Sequence, residues 1–175
     1  MASAAPDLRR FVRDVPDFPR HGILFRDITP LLADADAYGE AIRRLAEAVA
    51  KPQAVVAIES RGFLFGAPLA RHWGVPLVPA RKFGKLPGRT VRQVYSLEYG
   101  EDTLELHADA LRPGWSVVIV DDLLATGGTA AATAALAAQL GANVAAALFL
   151  IELTALGGRA KLAPVPVHAL LPYGD

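Results

Sequence analysis

Apolar positions in this chain gather into short, uninterrupted runs rather than long alternating ones. Ala54–Glu59 ("AVVAIE"), Val75–Pro79 ("VPLVP"), Ser116–Val120, Asn143–Ile151 and Val165–Leu171 ("VPVHALL") are rich in β-branched residues or closely apolar, and glycine, proline or charge bounds them. Runs of that length and character predict strands covered on both faces. Between them lie stretches at helical spacing, made of strong helix formers: Asp34–Ala50, Leu64–Trp73 and Thr129–Leu140. The first has Asp34 or Asp36 to cap it. Near the start, Ala5–Val15 predicts a short amphipathic helix, and Pro16–Pro30, punctuated by proline and glycine, predicts irregular backbone. Strands alternating with helices predict an α/β fold, a mostly parallel twisted sheet of doubly wound type flanked by helices.

One segment departs from this alternation. "RKFGKLPGRTVRQV" (Arg81–Val94) carries basic residues, two glycines and a proline, and no acid. It is long, polar and glycine-hinged, as a lid over an anionic ligand would be. "YSLEYG" and "TLELH" then alternate like the two strands of a hairpin.

Composition narrows the possibilities. A chain of 175 residues, 53% of them hydrophobic, suits a single domain spanning 1–175 with a sizeable core. Formal net charge is zero and the pI is about 6.9, which speaks against a dedicated nucleic-acid binder. The absence of cysteine excludes disulfides, thiolate catalysis and zinc-cysteine sites. "MASAAPDLRRF" lacks the apolar core of a signal peptide and no apolar run is long enough to span a bilayer, so a cytoplasmic protein without a membrane partner is expected. The four histidines show no metal-ligand spacing, and His72, His107 and His168 read as structural.

The chemistry concentrates in "VVIVDDLLATGGTAAAT" (Val117–Thr133). A buried strand ends in two carboxylates, then a small-residue loop leads into a helix. Ala125, Thr126, Gly127, Gly128 and Thr129 offer successive backbone N–H donors at a helix N-terminus, a cradle for a phosphate. Asp121 and Asp122 cannot share that anion, because like charges repel; they suit sugar hydroxyls or a metal ion beside the phosphate. No Walker lysine follows and no G-x-G-x-x-G is present. A tight loop with an aspartate cap is the plain alternative, and the acid pair with Thr-Gly-Gly-Thr is far more specific than that. A response-regulator receiver also clusters aspartates at strand ends, but near its N-terminus. A nucleotide-sensing regulator would need a nucleic-acid surface that a neutral chain does not advertise.

These residues resemble the type I phosphoribosyltransferases, whose loop for 5-phosphoribosyl 1-diphosphate has two acids before a Thr-Gly-Gly-Thr-like turn. "FPRHGILFRDITPLL", "ESRGFLFGAPLA", "RKFGKLPG", "YSLEYG", "VDDLLATGGT" and "ELTALGGRAKLAPVP" narrow the resemblance to the adenine-specific branch, from about Phe18 to near the C-terminus. Phe83 departs from it, standing where proline or a base is expected.

The resemblance implies transfer of the 5-phosphoribosyl group to adenine, giving AMP and diphosphate, with Mg²⁺ held mainly through the substrate and no dedicated metal ligands. Hypoxanthine or guanine is the alternative base. It makes Arg61 a ligand of the leaving diphosphate, with Ser60 beside it, and Arg81, Lys82 and Lys85 the cations of the lid, one of them serving the neighbouring subunit of a homodimer. It makes Glu98 the carboxylate that meets the purine, and Phe25 the ring stacked on adenine, with the Leu24 and Arg26 backbone reading its edge from an N-terminal hood (about 1–35). It also implies a cis peptide at Glu59–Ser60. Tyr95 and Tyr99 read equally as lid contacts or as ordinary hairpin tyrosines.

Overall fold

The computed structural model describes residues 6–97 and 100–174. Its chain divides into two compact units, residues 1–44 and 45–175.

In the first unit, a 3-10 turn at Leu8–Phe11 precedes strand β1 (Arg13–Pro16), which pairs antiparallel with β2 (Leu24–Asp27). Helix α1 (Thr29–Ala33) follows, and α2 (Ala35–Glu47) begins in this unit. Two expectations are corrected here. Of the helix expected over Ala5–Val15 only the 3-10 turn at Leu8–Phe11 forms among the described residues, and Pro16–Pro30 is not wholly irregular. The two strands are stapled by ion pairs, Arg26 Nη1 to Asp14 Oδ1 at 2.5 Å and Arg13 Nη2 to Asp27 Oδ2 at 2.6 Å, so the charges that mimicked a polar helix face are cross-strand partners. Of the two candidate caps for α2, Asp34 is the one that accepts from a first-turn N–H, Ala37 N at 2.9 Å.

The second unit holds a seven-stranded sheet. In chain order its elements are β3 (Ala54–Ile58), α3 (Gly62–Trp73), β4 (Leu77–Lys82), β5 (Thr90–Leu97), β6 (Gly100–His107), β7 (Ser116–Leu124), α4 (Gly128–Gln139), β8 (Asn143–Leu153), α5 (Gly158–Lys161) and β9 (Val167–Tyr173). The strand order is β5-β6-β4-β3-β7-β8-β9, parallel from β4 to β9, with β6 antiparallel to both β4 and β5. All five residues of β3 are fully buried, as its apolar run requires of a central parallel strand. One face of the sheet (Val56, Ile58, Ile119, Phe149) packs with Ala130, Leu136 and Ala137 of α4 into the main core.

The hairpin differs from its expected form. Its strands pair from Thr90↔His107 to Leu97↔Gly100, so the first strand begins inside the basic stretch and ends within "YSLEYG", at Leu97. Long polar side chains at Arg92 and Gln93 hide the period of two. Val91 and Tyr95, on the inward face, pack on the core beside α4. β7 is also longer than predicted: it runs through both aspartates to Leu124, because β8 keeps pairing with it as far as Leu124↔Glu152.

Candidate active site

The direction of the crossovers along the sheet fixes where the crevice opens. From β3 the chain crosses through α3 to β4 on one side; from β7 it crosses through α4 to β8 on the other. The strand order therefore reverses between β3 and β7, and such a switch point, at the carboxyl ends of the strands, is where open α/β sheets bind ligands. The β3–β7 ladder ends at Ala57↔Val120. Just beyond it stand Glu59, Ser60 and Arg61 on one side and Asp121 and Asp122 on the other. The Glu59–Ser60 peptide is cis, as the resemblance implies.

The cradle follows β7. Gly127 caps α4 in the left-handed region (φ 79°, ψ 0°), a conformation that favours glycine, and no side chain caps the helix. The first N–H groups of a helix have no partners within it, so the Gly127–Thr129 turn presents donors at the positive end of the helix dipole. The turn is backed by another backbone: a Cβ placed on Gly127 would stand 2.4 Å from the Gly158 carbonyl oxygen.

Arg61 Nη2 lies 2.8 Å from Asp122 Oδ2, while Asp122 itself is only 4% exposed. That oxygen is buried and has no aligned hydrogen-bond donor. Asp121 Oδ1 accepts from the Asp122 backbone N–H at 2.8 Å. Burial pushes Asp121 well above the usual carboxylate range, and the charge of Asp122 adds to the rise. Burial raises Asp122 as well, with the Arg61 guanidinium opposing it. Two crowded acids held this way are poised for a cationic or hydroxyl-bearing ligand.

The basic stretch is not a loop of unpaired cations. Its acids come from elsewhere in the sequence. Arg81 donates to both oxygens of Glu59 (3.2 and 3.4 Å), and the Lys82 N–H donates to the same carboxylate at 2.9 Å. Burial works to raise Glu59, but these donors outweigh it and hold it below its ordinary value. Lys82 Nζ lies 3.2 Å from Asp102 Oδ2, and the Asp102 hydrogen bond raises the lysine. Buried Glu105 accepts from Arg92 Nε (2.8 Å), Thr90 Oγ1 (3.0 Å) and Gly84 N (3.0 Å). Arg92 also lies over the Phe83 ring, 4.5 Å from its centroid, which gives that departing residue a partner. Lys85 is exposed, its carbonyl accepting from Arg81 at 3.5 Å.

The Tyr95 hydroxyl donates to Asp102 Oδ2 at 3.3 Å and also interacts with the Thr129 hydroxyl. It thereby ties the hairpin to the cradle. Sequence reasoning assigned no side-chain role to Glu59, Asp102, Glu105 or Gly158, although Glu59 opens "ESRGFLFGAPLA", Glu105 is the acid of "TLELH" and Gly158 is the second glycine of "ELTALGGRAKLAPVP".

Leu24, Phe25 and Arg26 form part of β2 in the first unit. Leu24 is exposed, Arg26 is buried, and the Phe25 ring meets Phe18 edge-on at 5.1 Å between centroids. Glu98 and Tyr99 lie outside the described residues. Among the described residues, no group of three or more acids or histidines is placed to hold a metal ion, and no helix is long and apolar enough to cross a membrane.

A doubly wound sheet with an uncapped glycine turn and an acid pair at its switch point defines a protein that grips a phosphorylated sugar. Comparison with known proteins agrees. The phosphoribosyl transferase domain matches residues 27–161. The chain is 56% identical to the adenine phosphoribosyltransferase of Gluconacetobacter diazotrophicus over 100% of both chains, and 59% identical to that of a Synechococcus over 94% of this chain and 97% of the relative. The crystal structure of adenine phosphoribosyltransferase from Thermoanaerobacter pseudethanolicus superposes with a TM-score of 0.93 at 51% identity, covering 95% of this chain and 98% of that one. The enzyme from Saccharomyces cerevisiae, solved with an imino-altritol bisphosphate and adenine, has a TM-score of 0.89 at 43% identity, covering 94% of this chain and 97% of that one. This chain belongs to the phosphoribosyltransferase family and, within it, to the adenine phosphoribosyltransferases.

Proposed function

We propose that this protein transfers the 5-phosphoribosyl group from 5-phosphoribosyl 1-diphosphate to adenine, giving AMP and diphosphate. The observation that carries the proposal is the cradle at the end of β7, an uncapped α4 N-terminus beside Asp121 and Asp122, in a chain 56% identical from end to end to an adenine phosphoribosyltransferase.

The reaction breaks the bond from C1 of the ribose to the diphosphate and forms one from C1 to N9 of adenine, whose proton leaves. Positive charge develops on the ring and negative charge on the departing diphosphate. The Ala125–Thr129 cradle fixes the 5′-phosphate, and Asp121 and Asp122 take the ribose hydroxyls. Arg61, with Ser60 beside it, and the lid cations Arg81, Lys82 and Lys85 receive the leaving group. Pre-orientation supports this: Asp122, Glu59 and Asp102 already hold Arg61, Arg81 and Lys82, so little side-chain freedom remains to be lost on binding. The hard carboxylate oxygens of the acid pair also suit Mg²⁺ arriving with the substrate, where it would neutralise diphosphate charge.

By resemblance, Glu98 takes the purine proton and Leu24, Phe25 and Arg26 take the base, as an N-terminal hood within one catalytic domain. On the same ground the protein works as a cytoplasmic homodimer. Incubation with 5-phosphoribosyl 1-diphosphate, Mg²⁺ and adenine, hypoxanthine or guanine in turn tests the reading. AMP formation with adenine alone is expected, and turnover of another purine at equal rate would overturn the base assignment.

A further inference from the structure

Behind the cradle, two backbones meet at a distance that leaves no room for a side chain on either. A Cβ on Gly158 would stand 2.2 Å from the Ala125 carbonyl oxygen and 2.9 Å from the Gly127 nitrogen. Real Cβ contacts do not come this close, so any residue larger than glycine must push the loop or be pushed by it. α5 is poorly placed to yield. Arg159, next in the chain, forks onto Glu152 at the end of β8 (Nε–Oε1 3.0 Å, Nη2–Oε2 2.5 Å), and its Nη1 donates to the Val167 carbonyl at 2.6 Å where β9 begins. Glu152 is 5% exposed. A bidentate pair of this kind fixes direction as well as distance. Leu162, just beyond α5, is buried in the core.

We propose that Gly158, clamped by the Glu152–Arg159 pair, is a positioning residue for phosphate binding: it is the back wall that sets the orientation of the Ala125–Thr126 and Thr126–Gly127 peptides. The argument runs through peptide planarity. In a trans peptide the carbonyl and the next N–H point in opposite directions. With the Ala125 carbonyl held against Gly158, the Thr126 N–H points away from α5, free to serve a ligand. A methyl group at Gly158 would displace that carbonyl and rotate the plane, swinging the donor with it. The inference rests on reading Ala125–Thr129 as the phosphate cradle.

The neighbouring glycine supplies the control. Gly157 also lies in the left-handed region (φ 64°), but a Cβ there meets nothing within 4 Å. Gly157→Asn, a residue that tolerates this conformation, adds bulk next door without touching the loop. Binding of ribose 5-phosphate is measured by calorimetry, and the KM values for 5-phosphoribosyl 1-diphosphate and adenine by steady-state kinetics. A donor shifted by roughly 1 Å costs on the order of a hundredfold. Gly158→Ala is therefore expected to weaken ribose 5-phosphate and raise the diphosphate substrate's KM by at least about tenfold, with adenine's KM unchanged and Gly157→Asn like the parent. Arg159→Gln, which loosens the clamp without adding an atom to the contact, is expected to lose several-fold. Parent-like affinity in Gly158→Ala overturns the inference. So does equal loss in Gly157→Asn, or, should Gly158→Ala fail to fold, parent-like affinity in Arg159→Gln. If the parent itself does not bind ribose 5-phosphate, the cradle reading fails instead.

Discussion

The turn after β7 and the basic stretch after β4 both present positive potential at the same rim, yet they are built in opposite ways. The turn does so with backbone: its donors are peptide N–H groups, and its geometry is set by Gly127 and by one neighbouring backbone at Gly158. Nearly everything it needs lies within a few consecutive residues. The basic stretch works with side chains, and each of its paired cations is held by an acid from elsewhere in the sheet: Glu59 just after β3, Asp102 and Glu105 on β6. The backbone site takes its donors from consecutive residues and needs one distant backbone behind them, whereas the side-chain site takes every partner from elsewhere in the sheet.

The sharpest way to break this contrast is at Gly127. A β-branched residue there must adopt φ 79° and place its Cβ 2.4 Å from the Gly158 carbonyl oxygen. Gly127→Val should abolish phosphate binding, with affinity for ribose 5-phosphate falling at least about a hundredfold by calorimetry. It should leave the Arg81–Glu59 pairing intact. Retained affinity would mean that the donors are not set by this turn.

The next largest effect is expected on the other side. In Glu59→Gln the Arg81 guanidinium loses a charged, two-pronged partner and the Lys82 N–H keeps only a weaker one. Arg81 then samples more rotamers, and the KM for 5-phosphoribosyl 1-diphosphate should rise about tenfold, consistent with a charge-assisted bond worth about 1.5–3 kcal/mol. Ribose 5-phosphate, which lacks the diphosphate, should bind almost as before. Equal loss for both ligands would show that the two regions are not independent.

The same difference explains what the sequence made legible. The strand, acid pair, glycine turn and helix of Val117–Thr133 are contiguous, and each follows from residue type: β-branched residues cannot readily be anything but strand there, and Gly127 supplies the left-handed turn. The switch-point topology follows from strands alternating with helices. The pairing of the basic stretch was not legible, because it carries no acid of its own and its partners Glu59, Asp102 and Glu105 are brought to it only by the pairing of β4 with β3 and of β6 with β4 and β5. The β1–β2 hairpin was missed for a related reason, since Asp14–Arg26 and Arg13–Asp27 are recognisable as pairs only after the two segments are paired. Gly158 stood in a quoted motif, but nothing local reveals a clash with a loop some thirty positions away.

Glu105 tests the stability side of the comparison. Burial would raise its pKa, but the Gly84 N–H, the Thr90 hydroxyl and Arg92 more than offset that, and it sits below the ordinary 4.5. A depressed folded-state pKa means stability that is present above the unfolded value and lost as pH falls through the folded one. Glu105→Gln should therefore cost about 2 kcal/mol at pH 7, about 6 °C in Tm, with the gap to the parent closing as pH falls below the ordinary 4.5 and through the depressed folded-state value. Gly127→Val should show no such closing. A gap independent of pH would mean that the Glu105 charge does not organise the 83–92 segment.

The smallest expected effect concerns a side chain that joins the two regions. The Tyr95 hydroxyl bridges Asp102, which holds Lys82, and Thr129, in the first turn of α4. Tyr95→Phe keeps the ring against the core and removes only the bridge. A hydrogen bond to a carboxylate is worth about 1.5–3 kcal/mol, and at 3.3 Å this one belongs at or below the low end, so the KM for 5-phosphoribosyl 1-diphosphate should rise by up to about tenfold, with Tm changed by no more than a few degrees. The informative quantity is the coupling. In a double-mutant cycle with Thr129→Val, the two changes should be non-additive by about 1 kcal/mol, because either one alone already severs the link. Strict additivity would mean that the backbone site and the side-chain site act separately at this rim. A loss far beyond tenfold in Tyr95→Phe alone would make the hydroxyl a direct contact of the substrate rather than a tie between two parts of the protein.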